Sequence, residues 1–230
     1  MPATPQIIGH RGWSACFPDN SLAGLAAAST VADRVEVDVR RSADGKLVLS
    51  HDPMVGGLEV ATTAWSALAD IDLGEGHRPV LLDDALASLP STPFLIEIKN
   101  EPYNRGFEPD HRLAVEAAER ARPEDMVTSF NWFTVDRVRE FYPDVATGLV
   151  TTADAAAEAV ARSHTMGHRA VVAEQRTGVD VLSSALASGL EVHVWTVNDP
   201  VIAGELADIG VSGIITDDPG PIRNVLGAPR

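Results

Sequence analysis

The stretch Val35–Val39 reads VEVDV, a run in which valines alternate with two acidic residues. Successive residues of a β-strand point to opposite faces, so Glu36 and Asp38 would share one face while the valines share the other. The stretch Phe94–Lys99 reads FLIEIK and repeats this alternation around Glu97. We therefore predict two β-strands that each carry acidic side chains on one face.

Short apolar runs alternate with helical patterns on both sides of these two stretches. The predicted strands lie at residues 6–10, 35–39, 46–50, 94–99, 126–130, 146–150, 170–173, 191–197 and 213–216. The helical patterns lie at about residues 20–29, 82–88, 110–122, 133–141, 154–162, 179–188, 201–209 and 221–225, with one further turn near 65–70. Strands that alternate with helices of this length predict βαβ units and a parallel sheet.

The number of strand–helix units predicts how the sheet closes. The run at 46–50 follows Asp44-Gly45, a tight-turn signal, and is interpreted as one arm of a hairpin. Eight units remain, which is the number that closes a barrel. We expect an α/β protein with one domain over residues 1–230, a (β/α)8 TIM barrel with a short inserted segment, about residues 53–79, after a His-Asp motif. An open doubly wound sheet is the alternative, but no Gly-x-Gly-x-x-Gly follows the first strand to support it.

The composition argues against several classes of protein. The 230 residues carry a formal net charge of −15, which repels phosphate backbones and disfavours nucleic acid as a partner. Cys16 is the single cysteine, which excludes an intrachain disulfide and a Cys-rich zinc site. No signal peptide or membrane-length apolar run is visible, so we expect a soluble cytoplasmic protein without stable membrane insertion.

Polar residues fall at the carboxyl ends of the predicted strands, the face where barrel enzymes place their active sites. If their two strands are neighbours, Glu36, Asp38 and Glu97 could meet. Three carboxylates form a hard oxygen site suited to Mg²⁺ or Ca²⁺, and a shared cation would offset the cost of burying bare acids. The alternatives are an edge strand whose acids face water and an exposed ion pair between Glu97 and Lys99.

Two histidines end predicted strands and each precedes a charged residue. His10 and His51 are candidate proton carriers, because histidine titrates near neutral pH, although either could be a core or capping group. The planar guanidinium of Arg11 could donate hydrogen bonds to phosphate oxygens. The alternative is that Arg11 forms a structural ion pair. Trp195 could form an apolar wall for an organic moiety or pack in the core. The other histidines are interpreted as surface or structural groups: His77, His111, His164, His168 and His193.

Seven motifs, taken in order, resemble the glycerophosphodiester phosphodiesterase family. They are Gly9–Gly12 (GHRG), Pro18–Ser21 (PDNS), Glu36–Val39 (EVDV), Asp44–Pro53 (DGKLVLSHDP), Glu97–Lys99 (EIK), Val194–Asn198 (VWTVN) and Gly213–Pro219 (GIITDDP). Each motif is short, but their shared order and spacing are highly specific, and together they cover nearly the whole chain.

The resemblance implies a β/α-barrel that hydrolyses small-molecule glycerophosphodiesters to glycerol 3-phosphate and an alcohol. It implies that His10 and His51 are the acid–base pair, and our hypothesis is that His10 is the base and His51 the acid. The implied ligands of a divalent cation, Mg²⁺ or Ca²⁺, are Glu36, Asp38 and Glu97. Arg11 and Lys99 would contact the phosphate. An inserted segment covers the site in this family, and residues 53–79 would take that role here.

Departures from the family pattern concern the substrate more than the chemistry. Asp19 and Ser21 stand where the family usually has Glu and Thr, and Met54–Leu58 replaces an Asp-Arg-Thr-Thr type sequence. One alternative is a lysophospholipid-cleaving, phospholipase D-like relative, which would need an apolar channel. Its candidate walls are Leu58, Val60, Trp65 and Leu68. Another alternative is a noncatalytic barrel that binds a phosphorylated metabolite.

Overall fold

Eight parallel strands alternate with helices in the computed structural model, which describes residues 4–227. The strands are β1 (Gln6–Gly9), β2 (Arg34–Arg41), β3 (Leu47–Leu49), β4 (Met54–Val55), β5 (Leu58–Glu59), β6 (Phe94–Ile98), β7 (Met126–Ser129), β8 (Ala146–Thr151), β9 (Ala170–Glu174), β10 (Glu191–Trp195) and β11 (Gly213–Thr216). The helices are α1 (Leu22–Ala28), α2 (Trp65–Leu68), α3 (Leu82–Ser88), α4 (Arg112–Ala118), α5 (Trp132–Phe141), α6 (Ala156–Met166), α7 (Val179–Ala187), α8 (Pro200–Ile209) and α9 (Pro219–Leu226). Within the described residues, no helix has the length and apolar character needed to cross a bilayer.

The main sheet closes on itself. Its order runs from β2 through β6, β7, β8, β9, β10 and β11 to β1, and β1 then pairs in parallel with β2, where Ile8 lies opposite Arg34. The predicted (β/α)8 TIM barrel is therefore confirmed, and the open-sheet alternative is wrong. As the Asp-Gly turn predicts, β3 folds back antiparallel to β2, with Val39 opposite Leu49.

Apolar side chains pack on both sides of the barrel wall. One buried cluster combines residues from six different barrel strands: Ile8, Leu95, Met126, Val150, Val172 and Ile215. In a closed barrel these strands face one another only across the interior, so this cluster is the inner core. The valines of β2 instead pack outward in the cluster that holds Leu25 of α1 and Leu82 of α3. Because residues of a strand alternate between faces, Glu36 and Asp38 point into the barrel.

Local signals set several helix ends. The Ser21 side chain accepts a hydrogen bond from the Gly24 amide, 3.2 Å away, and so caps α1. Helix α8 begins with Pro200, which lacks the N–H that a first-turn position would leave unpaired. The helix predicted at 110–122 is too long at both ends: α4 begins only after His111, whose backbone is left-handed with φ of 56°, and it already stops at Ala118.

The inserted segment, residues 53–79, has its own small core and packs against the β2–β3 hairpin. Val60 and Leu68 are buried together with Val48 of β3. The Trp65 amide donates a hydrogen bond to the Asp44 carboxylate at 2.9 Å, which ties α2 to the hairpin turn. Since Val60 and Leu68 face this core, they do not line an open apolar channel.

Candidate active site

Three carboxylates converge inside the mouth of the barrel. Glu36 and Asp38 project inward from β2, where they are 2 % and 1 % exposed, and Glu97 projects from β6 directly opposite Asp38. One carboxylate oxygen from each residue lies within 4.8 Å of the others. The edge-strand alternative is wrong, because β2 lies between β1 and β6. The strand geometry thus brings together the three residues that the sequence singled out.

Two cationic side chains balance much of this negative charge. The Lys99 ammonium lies 2.9 Å from an Asp38 oxygen and also donates a hydrogen bond to Glu97, while the Arg11 Nε lies 3.3 Å from Asp38. Burial alone would raise the pKa of Asp38, but Lys99 and Arg11 outweigh burial and lower that pKa to about 2. The predicted Glu97–Lys99 pair forms, but it is inside the barrel and not on an exposed surface.

Glu36 is the least compensated of the three acids. Its Oε2 accepts a hydrogen bond from the Arg11 backbone amide at 2.8 Å, whereas its buried Oε1 accepts none from the described residues. Burial and the neighbouring Asp38 charge raise the pKa of Glu36 to about 8. A buried carboxylate oxygen without a donor, beside two further carboxylates, fits a hard divalent cation.

The loop after β1 holds Arg11 at this cluster through an unusual backbone. Arg11 and Gly12 both have positive φ angles, 54° and 88°. A side chain on Gly12 would collide with the backbone of α1, since an added Cβ would lie 2.7 Å from the Gly24 carbonyl carbon. The backbone after β1 therefore approaches α1 closely at Gly12, and this approach holds the preceding residue, Arg11, in place.

The two histidines border the same cavity but differ in their surroundings. The His10 Nδ1 lies 2.6 Å from an oxygen of Asp217, and its side chain is 19 % exposed. The His51 Nδ1 lies 2.8 Å from Asp52, and its side chain is 41 % exposed. Burial lowers the pKa of His10, but the Asp217 hydrogen bond and the charge of Glu36 outweigh it, so the pKa is raised above its usual value.

The central cavity has a volume of about 110 Å³ and a polar rim over an apolar floor. Its rim contains His10, Arg11, His51, Glu97 and Lys99. Its floor and walls are formed by Leu95, Phe130, Val150, Val172, Trp195 and Ile215. The Trp195 ring stacks edge-on against Phe130 with centroids 5.5 Å apart, and its Nε1 donates to the Val172 carbonyl at 3.1 Å. Trp195 therefore lines the cavity and packs in the core at once.

A second, more open cavity of about 340 Å³ lies between the barrel rim and the inserted segment. It shares Arg11 and His51 with the central cavity, and Met54 and Leu73 of the inserted segment form part of its wall. The inserted segment therefore borders the site on the His51 side.

Asn20 supports Asp38, a role that the sequence did not predict. Its Nδ2 donates to Asp38 Oδ2 at 3.0 Å, and its Oδ1 accepts from the Asp38 amide at 3.1 Å. Asn20 has a left-handed backbone, with φ of 58°, a conformation that Asn adopts more readily than most residues. This double contact places the loop that contains Asn20 directly against the acidic strand.

Arg40 is a second residue near the site whose role the sequence does not predict. It is the next inward position on β2 after Asp38 and is buried. Its Nε and Nη2 donate to the His51 carbonyl at 3.0 and 2.7 Å, and its Nη1 lies 3.5 Å from the Lys99 carbonyl. The one available signal was its spacing, since Glu36, Asp38 and Arg40 form an i, i+2, i+4 series.

The remaining histidines lie away from the site. His168 is buried against Thr147 and Asp136, at 2.9 Å from each. His193 is buried within β10, close to Glu191. Neither borders the cavities described above, in keeping with a structural role for both.

The chain is similar in sequence to proteins of a single family. The model of the "Glycerophosphoryl diester phosphodiesterase family" matches residues 10–221. A relative from Mycobacterium tuberculosis named "Probable glycerophosphodiester phosphodiesterase 2" is 29% identical, and the match covers 95% of this chain and 89% of the relative. A glycerophosphodiester phosphodiesterase from Caldanaerobacter subterraneus is 24% identical, with 96% and 97% covered.

Solved structures show the same fold. A phosphodiesterase of Oleispira antarctica, whose structure is in complex with the product sn-glycerol 3-phosphate, superposes with a TM-score of 0.86 at 23% identity, covering 97% of both chains. The glycerophosphodiester phosphodiesterase of Thermotoga maritima superposes with a TM-score of 0.78 at 25% identity, covering 95% of this chain and 97% of the other.

Proposed function

The chain belongs to the glycerophosphoryl diester phosphodiesterase family, a family of phosphoric diester hydrolases, and we propose that it hydrolyses glycerophosphodiesters to glycerol 3-phosphate and an alcohol with the help of a divalent cation. The observation that carries this proposal is the cluster of three buried carboxylates beside two histidines at the rim of one cavity. The side chains that we assign to cation binding, phosphate contact and proton transfer lie around this cavity, which supports the proposal.

The proposed cation ligands are Glu36, Asp38 and Glu97. The Glu36 Oε1, which accepts no hydrogen bond from residues 4–227, and the all-carboxylate donor set favour Mg²⁺ or Ca²⁺ over a softer metal. When bound, such a cation would stabilise the negative charge that develops on the phosphate oxygens. Three protein ligands leave coordination positions for substrate and water.

The protein's own cations would orient the phosphate. Arg11 and Lys99 both border the central cavity and already face anionic oxygens of the acidic cluster. A phosphate oxygen at the same point could accept hydrogen bonds from either side chain. Burial lowers the pKa of Lys99, but Glu97 and Asp38 outweigh it and raise that pKa, so Lys99 remains a charged donor at neutral pH.

His10 and His51 would move the two protons of the reaction. In both residues Nδ1 lies within hydrogen-bond distance of a carboxylate oxygen, so Nε2 is the ring nitrogen that can contact the substrate. His10 would take a proton from the nucleophile, and His51 would give one to the departing alkoxide. The nucleophile is either water or a neighbouring hydroxyl of the substrate, which would give a cyclic phosphate first.

The two cavities would receive the two sides of the phosphodiester. The central cavity, which lies inside the barrel mouth, would take the glycerol moiety. The open cavity of about 340 Å³ begins at His51, the proposed acid, and would receive the alcohol. In this arrangement the inserted segment acts as the partial cover of the leaving-group side. The burial of Val60 and Leu68 argues against the acyl channel that a lysophospholipid substrate would need.

The direct test is release of glycerol 3-phosphate by the purified protein. We expect turnover of glycerophosphocholine with Mg²⁺ or Ca²⁺, loss of turnover in excess chelator and recovery on adding either ion back. A lysophospholipid of the same headgroup serves as the matched comparison and should react more slowly. Full turnover in excess chelator would refute the cation requirement. No release from any glycerophosphodiester in a broad panel would refute the activity and favour a noncatalytic binding protein.

A further inference from the structure

We propose that Asp217 and Asn198 form a positioning pair that holds the proton of His10 on Nδ1 and so keeps Nε2 as its reactive atom. This inference deepens the proposed function, since it rests on the acid–base role of His10. Neither residue is a proposed cation ligand or phosphate contact. Both act through the imidazole, so we describe them as positioning residues.

Asp217 has donors at both of its oxygens. Its Oδ1 lies 2.6 Å from His10 Nδ1 and accepts a second hydrogen bond from Ser14 Oγ at 3.0 Å. Its Oδ2 accepts from Asn198 Nδ2 at 2.6 Å. The carboxylate therefore cannot rotate to release His10 without breaking a contact on its far side.

The orientation of the Asn198 amide follows from its other contacts. Its Oδ1 accepts from the Asp217 backbone amide at 2.9 Å and from Thr216 Oγ1 at 3.0 Å. A backbone N–H can only donate, so the atom facing it must be the amide oxygen. The NH₂ group of Asn198 must then face Asp217.

The tautomer of His10 follows in turn. Both oxygens of an ionised Asp217 are acceptors, so the ring nitrogen beside them must be the donor. Asp217 is ionised, because the hydrogen bonds at its two oxygens, from His10 and independently from Asn198 and Ser14, outweigh partial burial and lower its pKa to about 2. The His10 proton is thereby fixed on Nδ1, which leaves the Nε2 lone pair free to accept a proton.

His51 lacks an equivalent arrangement within the described residues. Its partner Asp52 is the next residue in the chain, and the Asp52 side chain is 76 % exposed. A carboxylate in water can turn away from an imidazole at little cost. The two histidines therefore receive unequal restraint, and His10 is the one whose proton position the fold dictates.

The variant Asp217→Asn tests this inference. Asn198 would still point its NH₂ at residue 217, so the new amide would turn its oxygen towards Asn198 and its own NH₂ towards His10. His10 Nδ1 would then have to accept, which moves its proton to Nε2 and blocks the reactive atom. Since a general base contributes about 10²–10⁴-fold, we expect kcat to fall by roughly 10²-fold or more with little change in KM.

The double variant Asn198→Asp with Asp217→Asn should reverse part of that loss. The carboxylate at 198 can accept from Thr216, from the backbone amide of residue 217 and from the NH₂ of the new side-chain amide at position 217. That amide then presents its oxygen to His10 and restores the Nδ1 proton. We expect kcat to recover at least about tenfold over the single variant, because the orientation of the base is regained.

Asp218→Asn is the matched control, because Asp218 lies in the same loop and accepts a hydrogen bond from Trp13 Nε1 at 2.8 Å without touching His10. We expect its kcat to stay within about twofold of wild type, as for other substitutions outside the reacting groups. A fall in kcat at Asp218 equal to that at Asp217 would mean that the loop is merely structural and would overturn the inference.

A direct readout of the tautomer separates this inference from the activity itself. Long-range ¹H–¹⁵N spectra of the metal-free protein, recorded above the pKa of His10 and assigned with His10→Gln, should show Nδ1–H in wild type and in the double variant. They should show Nε2–H in Asp217→Asn. The same tautomer in wild type and Asp217→Asn would overturn the inference. Absence of wild-type turnover would instead refute the proposed function and leave the tautomer experiment valid.

Discussion

At the scale of single residues, the site combines groups that are strongly restrained with groups that remain accessible. Asp38 contacts Asn20, Lys99 and Arg11, so its carboxylate has a fixed place. His51, in contrast, offers a half-exposed ring to the junction of two cavities. A group that must meet departing alcohols of different shapes benefits from such access, which is consistent with a proton donor at this position.

The role of His51 can be tested by His51→Ala. We expect kcat to fall by about 10²–10⁴-fold, the usual contribution of a general acid. The fold should survive, because the ring is partly exposed and Arg40 binds the backbone carbonyl, which alanine retains. Release of glycerol 3-phosphate and thermal unfolding measure the two effects. His164→Ala, an exposed histidine of α6, is the control, and wild-type turnover in His51→Ala would show that the assigned role is wrong.

The acidic cluster was predictable from the sequence, whereas the contacts that position His10 were not. Glu36 and Asp38 follow the i, i+2 rule, and the βαβ pattern places the strand of Glu97 beside theirs. Asp217 lies 207 residues from His10, and no periodicity relates the two positions. Contacts between loop side chains depend on how the loops leave the strands, which a single sequence does not specify.

At the scale of elements, β2 organises the mouth of the barrel. Its inward positions carry Arg34, Glu36, Asp38 and Arg40, so this one strand supplies charged groups at four levels of the barrel. Arg34 donates to the Phe94 carbonyl at 3.0 Å near the start of the strand. Arg40 binds loop carbonyls at the other end, next to His51 and Lys99. The strand therefore connects the acidic cluster to the loops that carry the other proposed site residues.

The variant Arg40→Met tests this connection. It leaves the His51 carbonyl without its two guanidinium donors, and loss of such a buried contact costs about 1–3 kcal/mol of the free energy of unfolding. We also expect lower kcat, because the loop of His51 loses its anchor. Urea unfolding and the glycerol 3-phosphate assay measure the two effects.

Arg137→Met is the control for Arg40→Met. Arg137 pairs with Glu140 on the surface of α5, and such exposed pairs contribute about 0–1 kcal/mol. If Arg40→Met matched this control in both stability and turnover, the proposed anchoring of the His51 loop would be excluded.

The positions of strands and helices were predicted well where hydrophobic periodicity is strong. They were predicted less well where a residue with an unusual backbone conformation sets the end of an element. All eight barrel strands and the hairpin arm occur within a few residues of the predicted positions, because valine- and isoleucine-rich runs specify buried strands. The start of α4 was misplaced, since the left-handed backbone of His111 is set by contacts such as its 2.8 Å hydrogen bond to Thr134. Such tertiary contacts leave no local pattern.

At the scale of the whole molecule, an acidic protein must attract an anionic substrate. The net charge is −15, and at the site the three proposed ligands, once a bound cation keeps all of them ionised, outnumber Arg11 and Lys99 by one. A bound divalent cation would turn that local surplus into a single positive charge, the complement of a phosphodiester anion. Local charge inside a low-dielectric cavity outweighs distant surface charge, which salt screens. A protein with a negative net charge can therefore still bind an anion at a site with positive local charge.

The stability of the whole fold should also depend on buried histidines far from the site. Burial lowers the pKa of His168 below 6.5. The nearby Asp136 carboxylate raises that pKa in part, while the cations Arg139 and Arg162 lower it further. The unfolded chain therefore binds a proton at this position at a higher pH than the folded protein does. Protonation then favours unfolding, and the free energy of unfolding should fall as the pH drops through 6.5.

We expect His168→Gln, which cannot titrate, to show a shallower fall in the free energy of unfolding between pH 7 and the acidic side of 6.5 than wild type. His164→Gln, an exposed change near the end of helix α6, which stops at Met166 just before His168, should keep the wild-type slope. Urea unfolding at a series of pH values measures both slopes, and the comparison cancels the general effect of titrating the many surface acids. Equal slopes in wild type and His168→Gln would mean that His168 does not link protonation to folding, whatever its burial.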